Sequence, residues 1–299
     1  MAWVSLLLEL DAVGADALSD KLLELGALSV TTEDAAAGTD AETAIFDEPG
    51  EDPSSWQRLR MRVLADDADQ GRALLARAGA ALGMAGLADA AIESVDDLDW
   101  VRVTQAQFEP QRISQRLWIV PSWHPAPDPK AINIRLDPGL AFGTGSHPTT
   151  RLCLEWLEQV VQGGETVLDY GCGSGILAIA ALKLGAGRAL GVDLDATALE
   201  AARANCAVNA VHCEFADAAA HITIKADLVV ANILANPLKL LAPALAGHTR
   251  PGGHLALAGI LAQQADDLID TYRPWFDLDP LVESDGWVRI AGKRRTGPC

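Results

Sequence analysis

The 299-residue sequence predicts an α/β fold: a doubly wound parallel sheet over residues 110–299, preceded by a small α+β domain over residues 1–95. Three observations predict it. From Arg151 onward, short apolar strands alternate with helices, the order that builds βαβ units and a parallel sheet. One of these strands, Thr166–Tyr170, runs straight into Gly171-Cys172-Gly173-Ser174-Gly175 and then an apolar helix. Such a unit puts a ligand at the carboxyl end of the strand. The first 95 residues keep a different order, βαββαβ, which is that of a ferredoxin-like sandwich.

The elements of the first domain follow from spacing. Trp3–Leu10 reads as a strand, and Ala17, Leu18, Leu22 and Leu25 line one face of a helix that Gly26 stops. Leu28–Thr32 is a short strand, and Glu33–Pro53 is an acidic surface excursion. In Arg58–Leu64 the apolar Leu59, Met61 and Val63 alternate with Arg58, Arg60 and Arg62, the pattern of a half-buried strand. Helix Gln70–Leu82 and strand Ala90–Val95 complete the domain. Residues 96–109 begin with the acidic run Asp96–Asp99 and read as an interdomain linker and hinge, part helical.

Strands Leu117–Val120 and Ala131–Leu136 open the second domain, on either side of the Pro-rich Pro121–Pro129. Helix Leu152–Val161, strand Thr166–Tyr170, helix Ile176–Leu184, strand Ala189–Val192 and helix Ala196–Asn209 follow. Next come strands His212–Phe215 and Asp227–Ala231, helix Pro237–Leu245, strand His254–Ala258 and helix Ala262–Phe276. A hairpin of Leu281–Ser284 and Trp287–Ala291, turning at Asp285-Gly286, ends the chain.

Composition narrows the function. No run approaches the roughly 20 apolar residues of a membrane span, and Met1–Leu10 lacks a basic leader. Five cysteines without a C-x-x-C pair argue against a disulfide framework and a zinc site, and for a reducing cytoplasm; no metal is expected. Of the net charge of -18, residues 1–95 carry 18 acidic against 6 basic side chains. That surface repels phosphate backbones, so direct nucleic-acid binding is not expected, and it attracts cationic partners. Solubility alone explains the acidity about as well.

The chemistry sits at the strand tips. A dinucleotide loop would place its third glycine at Ile176, but the sequence has Gly175, one position early. This opposes a nicotinamide-dependent oxidoreductase. The G-x-G-x-G form, with Asp169 two residues before Gly171, resembles the first motif of class I methyltransferases, whose cofactor has no pyrophosphate to cradle but has an ammonium for an acid. Asp193 falls 22 residues after Gly171 at the tip of the next strand, where a carboxylate can accept both ribose hydroxyls. Asp195, just before the following helix, reads as its cap. Asp217 faces either the adenine or solvent. Asn232 ends strand Asp227–Ala231 and begins Asn232-Ile233-Leu234-Ala235, where a side-chain carbonyl can orient an acceptor nitrogen. His147 reads as a structural loop histidine rather than a general base.

With Leu136–Thr150 added, these segments resemble the bacterial PrmA family, the methyltransferases of ribosomal protein L11. The resemblance covers residues 100–295 by motif and the first domain by size and pattern. It implies a seven-stranded Rossmann-like methyltransferase sheet and S-adenosylmethionine as cofactor, bound by Thr150, Gly171, Gly173, Asp169, Asp193 and Asn232 and covered by Phe142. It implies Asn232 as the catalytic residue, and transfer to the α-amine and lysine ε-amines of ribosomal protein L11, held by the first domain, in the cytoplasm. A methyltransferase of another protein or a small amine, and a non-catalytic cofactor-binding protein, are the alternatives.

Overall fold

Alternation of apolar side chains along the strands decides the layers of this protein. The structure, a computed structural model, describes residues 3–39, 56–84, 87, 90–95, 108–137, 145, 147–220 and 222–296. The chain forms two compact units, Met1–Thr104 and Gln105–Cys299.

The first unit contains β1 (Trp3–Asp11), α1 (Ala15–Glu24), β2 (Ser29–Asp34), β3 (Arg58–Ala65), α2 (Ala68–Leu82) and β4 (Ala91–Val95). The sheet has the order β2-β3-β1-β4, and every pair is antiparallel. This is the expected ferredoxin-like βαββαβ sandwich. Leu59, Met61, Val63 and Ala65 of β3 bury against a core with Leu18, Leu22, Leu74 and Leu75 of the two helices. The opposite face carries the intervening arginines. Arg60 lies 3.4 Å from both Glu9 and Glu33, and Arg62 is 3.4 Å from Glu93. Such exposed pairs add little stability, but they keep that face polar. Asp67 caps α2 by accepting from Asp69 and Gln70 N–H, and Gly83 ends it at φ 69°.

In the second unit, β5 (Gln111–Arg112), β6 (Leu117–Val120) and β7 (Ile132–Arg135) form a separate three-stranded sheet. Then come α3 (Pro148–Val160), β8 (Thr166–Tyr170), α4 (Ile176–Leu184), β9 (Arg188–Asp193), α5 (Ala196–Val208), β10 (Glu214–Asp217), β11 (Ala226–Asn232), α6 (Ala235–His248) and β12 (Thr249–Leu261). Helix α7 (Ala265–Tyr272) and strands β13 (Phe276–Leu278), β14 (Val282–Ser284) and β15 (Trp287–Arg294) follow. Seven strands form the main sheet in the order β10-β9-β8-β11-β12-β15-β13, and β14 adds to β15. The strands β10 to β12 are mutually parallel, and β15 is antiparallel to β12. This is the expected doubly wound sheet.

Both faces of that sheet are covered. Val167, Val230, Ala256 and Ala258 face α3 and α4 in one core, while their neighbours Leu168, Val229, Ala231, Leu255 and Leu257 face α6 and α7 in the other. The strand order reverses between β8 and β11, so the ligand crevice lies at the carboxyl tips of those strands. Asn209, at the end of α5, exchanges two hydrogen bonds with the backbone of Arg135 (2.8 and 2.7 Å), fastening the small sheet to this layer.

The expected helix Ala262–Phe276 ends instead at Tyr272, because Pro274 disfavours helix at the preceding residue. Phe276 then opens β13, a strand the pattern did not reveal. Helix α3 begins at Pro148, four residues earlier than expected, with proline in its first turn where its missing N–H costs nothing. The strand expected at His212–Phe215 lies at Glu214–Asp217. The expected linker falls mostly outside the described residues. No helix among the described residues is long and apolar enough to cross a membrane.

Candidate active site

The glycine loop turns directly off β8. Gly171, Gly173 and Gly175 all have positive φ, at 76°, 51° and 76°, a region that a Cβ disfavours by about 1–2 kcal/mol per residue. The loop is pinned to the tip of β9 because the N–H groups of Gly171 and Cys172 both donate to the Val192 carbonyl, at 2.7 and 3.0 Å. At Gly171 and Gly175 the absent Cβ also makes room for Ile233 and Ala202, which pack directly against the loop.

Asp169 lies fully buried beneath this loop. Its Oδ2 accepts from the Ala178 N–H at 3.1 Å, in the first turn of α4, so half of the carboxylate caps a helix. Its Oδ1 is buried without a partner. Burial, reinforced by the nearby charge of Asp193, raises the carboxyl to about 7 despite the favourable Ala178 N–H. A buried acid with one orphaned oxygen suits a cationic group, and the ammonium of S-adenosylmethionine is such a group.

Asp193 ends β9. Its Oδ2 accepts from Gly173 N–H at 2.8 Å and its Oδ1 from Asp195 N–H at 3.0 Å. A carboxylate has roughly four acceptor positions, so capacity remains for a pair of hydroxyls. Asp195 caps α5 through Thr197 N–H at 2.8 Å, as expected. Asp217 stands beside Asp193 in register, but its Oδ1 accepts from Ala219 N–H at 2.8 Å in a local turn; its side chain stabilises the end of β10.

The third group assembles from distant segments. Asn232 ends β11, and its Nδ2 donates to the Thr150 Oγ1 at 3.4 Å. Thr150 is buried in the first turn of α3. The next residue, Ile233, is clamped between two glycines: a Cβ on Gly171 would stand closer than 3.0 Å to its Cγ2, and one on Gly259 closer than 3.0 Å to its carbonyl. Thus Asp169, Gly171, Gly173 and Asp193 gather at the tips of β8 and β9, and Asn232 and Thr150 gather at the adjoining tip of β11. Phe142 lies outside the described residues.

Sequence reasoning missed Gly259. It has φ 83°, and the β12–β15 register shifts between Leu257 and Ile260. A glycine inside an apolar strand is a sign of a bulge or close approach, and Leu257-Ala258-Gly259-Ile260-Leu261 carried that sign. His147 is the N-cap of α3, with Nδ1 2.7 Å from Thr149 Oγ1. Burial lowers its ring below the usual histidine value. The capping contact agrees with the structural role expected for it.

Comparison with known proteins places this geometry. The family model described as ribosomal protein L11 methyltransferase (PrmA) matches residues 2–295. The chain belongs to this family. The ribosomal protein L11 methyltransferase of Thiobacillus denitrificans is 55% identical over 99% of this chain and 100% of its own length. That of Chromobacterium violaceum is 52% identical over 99% of both. A crystal structure of ribosomal protein L11 methylase from Lactobacillus delbrueckii subsp. bulgaricus, 35% identical, superposes with a TM-score of 0.58 over 63% of this chain and all of its own. This PrmA-family chain is therefore a methyltransferase with the Rossmann-like fold of its relatives.

Proposed function

We propose that this protein transfers methyl groups from S-adenosylmethionine to amines of ribosomal protein L11, namely its α-amine and lysine ε-amines. The observation that carries the reading is Asn232, held beside Thr150 at the tip of β11 and next to the glycine loop. The cofactor supplies an electrophilic methyl group on a sulfonium sulfur. Gly171 and Gly173 provide the backbone floor for it, Asp193 accepts its ribose hydroxyls, and the orphaned Oδ1 of Asp169 receives its ammonium. Phe142 covers it.

Methyl transfer to nitrogen is an in-line displacement, so the protein contributes positioning and dehydration. A free lysine amine has a pKa of about 10.4 and must lose a proton before attack. A dry site favours the neutral amine, and carbonyl acceptors around Asn232 aim its lone pair. Residues 1–95 hold the protein substrate. Their excess of acidic side chains, 18 against 6 basic, favours encounter with a basic ribosomal protein. A ribosomal protein substrate supports a cytoplasmic location for the enzyme.

The test is transfer of labelled methyl to undermethylated ribosomal proteins, with sites mapped by mass spectrometry across a salt series. Label on the amines of ribosomal protein L11 is expected, with kcat/KM falling as salt rises while cofactor Kd stays level. Label on another protein or on small amines alone would move the substrate elsewhere. A flat salt response would remove the charge argument.

A further inference from the structure

Arg289, on β15, is a buried cation with only 7% of its surface exposed. Its Nη1 donates to the Leu152 carbonyl of α3 at 3.1 Å, and its Nε is buried without a partner. Among the described residues no carboxylate comes within ion-pair distance of it. The acids whose charge reaches it are Glu155 on α3, which pairs with Arg151 at 3.6 Å, and the exposed Asp279 after β13. Its other neighbour, the Cys153 thiol, is raised to about 12 by burial and so carries no countercharge. Burial also lowers the guanidinium from its usual value. A buried charge with most of its donors unused works against folding. A residue that opposes stability in this way calls for another reason to be there.

The backbone aims this side chain. Strand β12 pairs Leu257 with Ile290 and Ile260 with Val288 of β15. Between those pairs, Ala258 and Gly259 stand opposite Arg289 alone, which is a β-bulge of the kind that redirects side chains beside active sites. Val288 and Ile290 bury in the core with α6 and α7, and Ala291 in the core with α3 and α4, so alternation gives Arg289 to the α3 face. The same bulge serves β11, because Asn232 pairs with Ala258 and Gly259 leaves room for Ile233. Leu152 lies two residues beyond Thr150, which accepts the hydrogen bond from Asn232. The contacts thus close a ring through the tip of β11, the bulge, Arg289 and the start of α3.

We propose that Arg289 is a positioning residue for methyl transfer, fixing the start of α3 against β15 so that Thr150 holds the Asn232 amide in place. Apolar contacts are non-directional, and a leucine or methionine here would let the helix rotate or slide. A charge-assisted hydrogen bond is directional, and the Leu152 carbonyl gives it a fixed point on the helix. Small displacements beside the reacting atoms reduce rate more than they reduce binding. This inference rests on the acceptor role proposed above for Asn232.

The test is steady-state methylation of intact ribosomal protein L11 by the full-length enzyme, with cofactor Kd and melting temperature measured by calorimetry. Arg289→Met keeps apolar length and removes the charge. Its kcat is expected to fall about ten-fold, with cofactor Kd within about two-fold and a melting temperature that holds or rises. Arg289→Lys keeps a cation for the Leu152 carbonyl and should recover most of the kcat. Thr150→Val removes the hydroxyl through which Arg289 acts. In that background Arg289→Met should lower kcat by less than about two-fold further, since residues in one network are not additive. Full kcat in Arg289→Met, a lysine no better than methionine, or independent effects of the two substitutions would overturn the positioning role. So would a methionine variant that fails to fold, or that melts lower in step with its lost activity. Wild-type labelling that survives Asn232→Ala at full kcat would instead end the acceptor reading, and this inference with it.

Discussion

The two halves of the site are built by different means. The half proposed to hold the cofactor is nearly contiguous: Asp169, Gly171 and Gly173 lie within five residues, and Asp193 closes the group from the next strand. The half proposed to meet the acceptor draws on the first turn of α3, the tip of β11 and the bulge at Gly259. Backbone geometry holds the first half, through glycines at positive φ and N–H groups that grip Val192 and Asp193. Packing holds the second, with Ile233 clamped between Gly171 and Gly259. A local motif is robust and readable, whereas an assembled corner is sensitive to distant substitutions.

The largest expected break in this comparison is Asn232→Ala. Its kcat should fall about a hundred-fold, the scale of losing a donor or acceptor aimed at the reacting group, with cofactor Kd changed only a few-fold. Asp193→Ala should do the reverse. Losing charge-assisted hydrogen bonds worth roughly 2–3 kcal/mol weakens cofactor binding about thirty- to 150-fold, while kcat at saturating cofactor stays near wild type. Calorimetric Kd values that move equally in both variants would erase the division of labour.

Gly259→Ala sharpens the comparison, because it touches neither ligand. Its Cβ would collide with the backbone of Ile233 at φ 83°, a strain of order 1–3 kcal/mol. Turnover is expected to drop about ten-fold with a melting temperature lower by several degrees, and cofactor Kd should hold. A variant with full turnover would show that the corner is not clamped as described.

The smallest effect concerns Asp169. Its folded pKa, about 7, lies above the ordinary carboxyl value of 3.8. The folded state therefore holds the proton more tightly, and cofactor-free stability declines as pH rises from about 4 to about 7. A cationic ammonium prefers the ionised acid, so cofactor affinity should rise over the upper part of that window. Asp169→Asn should flatten both dependences, raise the cofactor-free melting temperature at neutral pH by a few degrees, and weaken cofactor binding. A wild-type melting temperature that does not fall across this pH window would contradict the buried, orphaned oxygen.

The same division explains what was legible. The glycine loop and helix Ile176–Leu184 were readable to the residue, because a strand, positive-φ glycines and an apolar helix are local signals. Strand β3 of the first unit was readable from the alternation of arginines with Leu59, Met61 and Val63. Strand β13 was not, since three residues paired to the C-terminal strand show no period of their own. Two-residue β5 was hidden for the same reason. Gly259 carried a visible sign, but nothing local said that Ile233 would fill the space it leaves.

The sequence by itself determined the class of fold, the strand–glycine loop–helix unit, the acid at the tip of β9 and the asparagine at the tip of β11. These depend on periodicity and on residues whose backbone demands are intrinsic. Only the tertiary structure decided that Thr150 meets Asn232, that two glycines grip Ile233, and that Arg289 reaches the Leu152 carbonyl. Those contacts join residues dozens of positions apart. Their energies come from packing and hydrogen bonds between elements, which exist only after the sheet has ordered its strands.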